Sequence, residues 1–133
     1  MFCCLYRPPT ASYDSFCAVL NFVENFISIN DPLCKLQLFL FGDFNLPKYC
    51  WTTKGSLVNG IFYKKFDKFM NNLLLTQYVQ ECTRKKNILD LFLTNDANFV
   101  QFIRCSDIFI SDHLMVQIYT IFFQKFKCAV KNS

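Results

Sequence analysis

Apolar and polar positions along the chain switch between two periods, and each switch marks an element. Phe2 to Tyr6 is a short apolar run that stops at Arg7-Pro8-Pro9, where neither proline can donate to a ladder, so it predicts a short buried strand. From Ser12 the spacing becomes three and four: Phe16, Val19, Leu20, Val23, Phe26 and Ile27 form the stripe of an amphipathic helix. Asp14 sits in its first turn, where the dipole favours it, and Asn30-Asp31-Pro32 ends it. Leu36, Leu38, Phe39, Leu40 and Phe41, interrupted only by Gln37, predict a strand over 36–41 that is buried on both faces. Strand, helix, strand reads as a crossover unit with its two strands side by side.

The second half repeats the alternation with more strand. Thr52 to Gly60 is a polar connection. Phe62, Phe66, Phe69, Met70 and Leu73 then make a second helical stripe, and Lys64, Lys65, Lys68, Asn71 and Asn72 lie around the other face, as a solvated surface would. Thr76 to Cys82 reads as extended, Thr83-Arg84-Lys85-Lys86-Asn87 as a basic loop, and Ile88 to Leu93 and Phe99 to Ile103 as strands. Ser111-Asp112-His113 precedes a last strand, Leu114 to Phe123, and the tail from Gln124 is polar and expected to fray. That last apolar run is far shorter than the roughly 20 residues that cross a bilayer, so no transmembrane helix and no membrane partner is expected.

Composition changes this picture in two ways. With 133 residues, 53% of them hydrophobic and 17 of them Phe, the chain needs a large core. A chain of this length folding alone buries roughly two-thirds of its surface, so the apolar content points to a fragment whose core is partly supplied from elsewhere. The eight cysteines contain no C-x-x-C pair and there is one histidine, which argues against zinc. No secretory signal opens the chain and several cysteines lie in apolar runs, so we expect reduced thiols, no disulfide partner and an intracellular protein. The net charge of +4 favours an anionic partner without demanding one.

Five polar residues stand where the pattern would place apolar ones or a strand end. Asp43 and Asn45 follow Gly42 at a two-residue spacing, so in an extended chain both point the same way. They read either as a small polar site on a rigid stem or as turn formers after a core strand. Asp90 interrupts an apolar strand, and a carboxylate there is costly unless paired. Asp112 and His113 adjoin, so on a strand they would diverge, and His113 needs another carboxylate to orient its ring; Asp90 is the candidate. An imidazole held by a carboxylate, beside acids able to take an oxygen-loving cation, suits phosphodiester hydrolysis. The plain alternative for His113 is a turn residue at the start of the last strand.

Tyr6-Arg7-Pro8-Pro9, Gly42-Asp43-Phe44-Asn45-Leu46-Pro47 with Trp51 after it, Thr83-Arg84 leading into Leu89-Asp90-Leu91-Phe92-Leu93-Thr94-Asn95, and Ser111-Asp112-His113 occur in that order over about 110 residues. Together they resemble the endonuclease/exonuclease/phosphatase superfamily, and within it the apurinic-type endonuclease domain of non-LTR retrotransposons. The resemblance implies an α/β (α+β) chain forming part of a four-layer α/β/β/α sandwich. Residues 1–123 would be the C-terminal part of that domain and 124–133 a polar tail.

By position, the resemblance implies that Tyr6 contacts the scissile phosphate and Asn45 orients it. Asp43 would handle the proton of water or leaving group, Asp90 would hold the catalytic histidine, and Asp112 would lie near the metal. His113 would act as base or stabilise the developing phosphorane, and the choice between Asp43 and His113 as general base stays open. Mg²⁺ or Mn²⁺ is the implied cofactor. DNA is the implied partner, with a reverse transcriptase domain in the parent protein. The family's metal-binding glutamate has no counterpart here: Glu24 and Glu81 are the only glutamates and neither matches a metal motif. We therefore expect a truncated copy with weak metal binding and impaired activity, poor solubility and an unpaired strand edge. The alternatives are an inactive binding remnant of the fold, or another phosphatase or phosphodiesterase of the superfamily.

Overall fold

A computed structural model of the chain describes residues 1–33, 35–51, 55–56 and 60–120. Side-chain alternation along two strands organises it. In β2 (Phe39–Asp43) and its antiparallel neighbour β6 (Asp90–Thr94), Leu40, Leu91 and Leu93 face one core, while Phe39 and Phe92 face another. A strand covered on both sides must be apolar throughout, which is why this stretch reads as a continuous hydrophobic run.

The first core is capped by helices. In α1 (Tyr13–Asn30) Phe16, Leu20, Val23 and Ile27 are buried. Ser12 Oγ accepts from the Ser15 amide at 3.1 Å to start the helix, and beyond its end the Asp31 carboxylate turns back to accept from the Leu36 amide at 2.6 Å. Val19 and Phe26, both in the expected stripe, lie on its outer flank and are exposed. In α2 (Ile61–Asn72) Phe62, Phe66, Phe69 and Met70 are buried as the spacing predicts, with Tyr63 beside them. Both helices join one cluster with Leu40, Leu91 and Leu93.

The main sheet has the order β1-β2-β6-β5, with β1 (Phe2–Cys4) at one edge and β5 (Thr76–Gln77) at the other. β1 and β2 are parallel, joined through α1, which is the crossover the pattern predicts. The second core lies beneath a hairpin of β7 (Val100–Ser106) and β8 (Met115–Thr120), whose Ile103, Cys105, Val116 and Ile118 pack on Phe39, Phe92, Val79 and Phe99. Helices, main sheet and hairpin sheet make an α+β arrangement of three layers among the described residues.

Several boundaries move. The strand expected over 36–41 starts at Phe39 and runs on to Asp43, because Leu38 and Leu36 sit in the loop that Asp31 and Asn95 tie down. The extended segment expected from Thr76 to Cys82 pairs only at Thr76 and Gln77, since Val79 turns inward to the second core. Part of the polar connection after Trp51 is a small hairpin: β4 (Gly55–Ser56) pairs with β3 (Tyr49–Cys50). The last strand is described through Thr120; its expected continuation to Phe123 and the tail from Gln124 lie outside the described residues.

The expected apolar exposure is present, with Phe2 bare on the edge strand and Phe102 stacked on Tyr119 at 4.0 Å on the outside of the hairpin. Cys3, Cys4, Cys17, Cys82 and Cys105 are thiols, and burial pushes Cys3, Cys17 and Cys105 above the usual range. No described helix is long and apolar enough to cross a membrane.

Candidate active site

On the face of the main sheet toward the hairpin, the apolar side chains of β2 and β6 give way at one end to acids. Asp43 and Asp90 are direct cross-strand partners, so strand register alone places two carboxylates side by side. On the other edge of β2, Gly42 lets the chain of β1 come close. Its φ is +133°, and a Cβ there would stand 3.0 Å from the Leu5 carbonyl carbon and closer still to its oxygen. Only glycine lets β1 run this near to β2.

Asp43 ends the strand and caps the turn after it. Its Oδ1 accepts from the Asn45 amide at 2.9 Å, and Asn45 adopts φ 49°, a left-handed conformation that Asn tolerates better than most residues. The side-by-side projection expected for an extended Asp43–Asn45 pair therefore stops at Asp43. Arg7 locks the turn from below: it is buried, and its Nη1 and Nη2 donate to the carbonyls of Asn45 at 2.9 Å and Ala11 at 2.7 Å. The sequence pattern marked Arg7 only as the end of a strand. The Arg7 amide also donates to the Asp43 carbonyl at 2.8 Å, which extends the β1–β2 register and sets Tyr6 beside Asp43 on the same face, 68% exposed.

His113 reaches this pair from the loop between β7 and β8. Its Nδ1 lies 2.8 Å from Asp90 Oδ2, the pairing expected from the sequence, so an ionised Asp90 accepts the Nδ1 proton and leaves Nε2 free. Nε2 faces Asp43 Oδ2 across 3.9 Å, too far for a hydrogen bond, but one oxygen lying to the side of this line can reach both atoms at hydrogen-bond distance. One ligand atom from each of Asp43, Asp90 and His113 lies within 4.8 Å of the others. Burial first, and the Asp90 charge second, raise the Asp43 pKa above the usual carboxylate value, against the opposing pull of the Asn45 amide, His113 and Arg84.

Asp112 is not in this group. As their adjacency predicts, the two side chains diverge, and Asp112 binds Arg84 through Nε at 2.7 Å and Nη2 at 2.6 Å, which holds its carboxyl below the usual range. One organising residue carried no signal in the sequence pattern beyond its place in a motif. Thr83 is fully buried; its Oγ1 accepts from the amides of Leu89 and Asp90 at 3.0 and 3.1 Å, and its carbonyl accepts from Leu114 at 2.7 Å. It thus ties the start of β6 to the loop that carries His113.

The donor set fits a hard divalent cation modestly. Each carboxylate has one oxygen already engaged, Asp43 with Asn45 and Asp90 with His113, leaving two oxygens and Nε2 as ligands. Neither Glu24, which accepts from Asn72, nor Glu81 belongs to the group.

No curated protein matches the chain. A protein-family model described as endonuclease-reverse transcriptase matches residues 1–117, a span that contains every residue of the site. The chain belongs to this endonuclease-reverse transcriptase family, of the retrotransposon type within the endonuclease/exonuclease/phosphatase superfamily.

Proposed function

We propose that this chain is part of a divalent-metal-dependent DNA endonuclease domain of retrotransposon origin, whose nick exposes a 3′-hydroxyl that primes reverse transcription. The observation that carries the reading is the hydrogen-bonded Asp90–His113 pair with Nε2 turned toward Asp43 at 3.9 Å, so that one oxygen beside them can contact both. Asp43 takes the proton of the attacking water, a role that a raised pKa suits. His113, held by Asp90 through Nδ1, donates from Nε2 in its imidazolium form to the phosphoryl oxygen on which charge develops. Tyr6, on the same face, and Asn45, in the adjoining turn, hold the phosphate. Two carboxylates would repel a phosphodiester on their own. Mg²⁺ or Mn²⁺, when bound, offsets that charge, and Asp43 and Asp90 would hold it through their second oxygens. With so few free ligand atoms the cation is held weakly and turnover is slow.

The test is the chemistry of the product ends. A duplex oligonucleotide incubated with the chain and Mg²⁺ should acquire nicks that a polymerase extends, and EDTA should abolish them. Nicks that cannot be extended, or that form equally in EDTA, would refute the reading. One observation favours a second reading, a nucleic-acid-binding domain without turnover: no glutamate joins the site. In that case the chain binds the duplex and leaves it intact at any Mg²⁺ concentration.

A further inference from the structure

The loop that delivers His113 also carries the two barest large apolar side chains near the site. Phe109 is 90% exposed and Ile110 is 88% exposed, and neither packs on a described neighbour. Water does not favour such a pair, and the backbone does not either: Phe109 has φ 59°, a conformation in which a bulky residue is a genuine outlier. The Asp107 carboxylate holds it there by accepting the Phe109 amide at 2.7 Å. The far end of the loop is equally fixed, by the Leu114 amide on the Thr83 carbonyl and by Asp112 on Arg84. A loop anchored at both ends thus presents an apolar tip.

We infer that Phe109 and Ile110 form a wedge that enters the base stack of a nucleic acid bound at the Asp43–His113 site. The inference rests on the endonuclease reading and adds to it the part of the substrate that this tip touches. Four residue steps lead from Phe109 to His113, so the tip lies within about 14 Å of it, which is about four base steps of a duplex. Apolar side chains inserted between base steps unstack them and kink the duplex, and a kink beside the scissile phosphate turns it outward toward the histidine. Position favours nucleic acid over a lipid surface or an apolar protein partner: the tip shares its loop with His113, so a strand bound at the site runs past it. Arg84 is paired with Asp112 of the loop, and Lys85 adjoins it in sequence as a cation suited to phosphates.

The wedge and the endonuclease reading fail in different ways. The full chain is mixed in Mg²⁺ with a duplex carrying 2-aminopurine, read before slow nicking sets in, and compared with the Phe109→Ser/Ile110→Ser variant, whose fold is checked by circular dichroism. The wild-type chain should bind and raise the 2-aminopurine fluorescence as its base unstacks. The variant should bind about 10-fold more weakly without the fluorescence rise, and with an unchanged salt slope, because no charge has been removed. Equal binding and equal fluorescence in the variant would overturn the wedge and leave the endonuclease reading standing. A wild-type chain that binds no duplex would overturn both. Variant-sensitive binding to phosphatidylserine vesicles, with duplex binding unaffected, would assign the tip to a membrane surface and overturn the wedge.

Discussion

Replacing Asp43 by Asn should make the protein more stable while removing its chemistry. Asp43 is 16% exposed and faces Asp90 directly across the strand pair. Two unit charges 4.8 Å apart, the outer limit for these ligand atoms, repel by about 3.5 kcal/mol at an effective dielectric of about 20. The Asn45 amide, His113 and Arg84 offset part of that, so the variant should gain less than the full repulsion, on the order of 1 to 2 kcal/mol at pH 7. The amide oxygen of Asn still accepts from the Asn45 amide, so the turn survives.

The pH dependence follows from the direction of the shift. Asp43 has a folded-state pKa above its unfolded value, so its ionisation opposes folding. That cost is absent below the unfolded pKa of about 3.9, grows as pH rises, and is complete above the folded pKa. The gain should therefore be full above the folded-state pKa of Asp43 and shrink as pH falls through it toward pH 4. Urea denaturation followed by circular dichroism at half-unit steps measures it. A variant less stable than wild type at pH 7, or a difference that does not change with pH, would refute the electrostatic account of the site.

Four other substitutions probe the frame. Gly42→Ala should cost about 3 kcal/mol or more, from a positive φ and from forcing β1 off β2, whereas Gly60→Ala, at an ordinary φ of −113°, should cost about 1 kcal/mol or less; paired urea curves decide it. Thr83→Val removes the acceptor for two amides and should cost about 2 kcal/mol, and in NMR spectra of His113 the Nδ1 proton bonded to Asp90 should exchange faster. Asp90→Asn keeps the shape but offers His113 the wrong partner, and should lower any nicking rate by about 100-fold or more with little change in duplex affinity, measured by gel assay and fluorescence anisotropy.

The parts of this fold that could be read in advance are those where burial forces a pattern. Phe16, Leu20, Val23 and Ile27, and Phe62, Phe66, Phe69 and Met70, are spaced as helices because one face of each must meet the sheet. Asp90 announced its pairing with His113 for an energetic reason, since a carboxylate inside an apolar strand needs a partner. What went unread depends on the backbone. The β3–β4 hairpin pairs only two residues a side, too few to show a period. Asn45 leaves the extended conformation through a side-chain-to-backbone bond from Asp43, which residue spacing does not encode. Thr83 and Arg7 act through carbonyls and amides from distant segments, and no local pattern records such a bond. Asp112 pairs with Arg84, 28 positions away, rather than joining Asp43 and Asp90 around His113.

The most direct test of the central claim, that Asp43, Asp90 and His113 form a phosphodiester-cleaving site, is conversion of supercoiled plasmid to the open circle by the purified 133-residue chain. It is run with Mg²⁺, with EDTA, and with the His113→Ala variant. We predict slow nicking with Mg²⁺ that is lost in EDTA and lost in the variant. No nicking by a folded, soluble preparation, or nicking that survives His113→Ala, would contradict it.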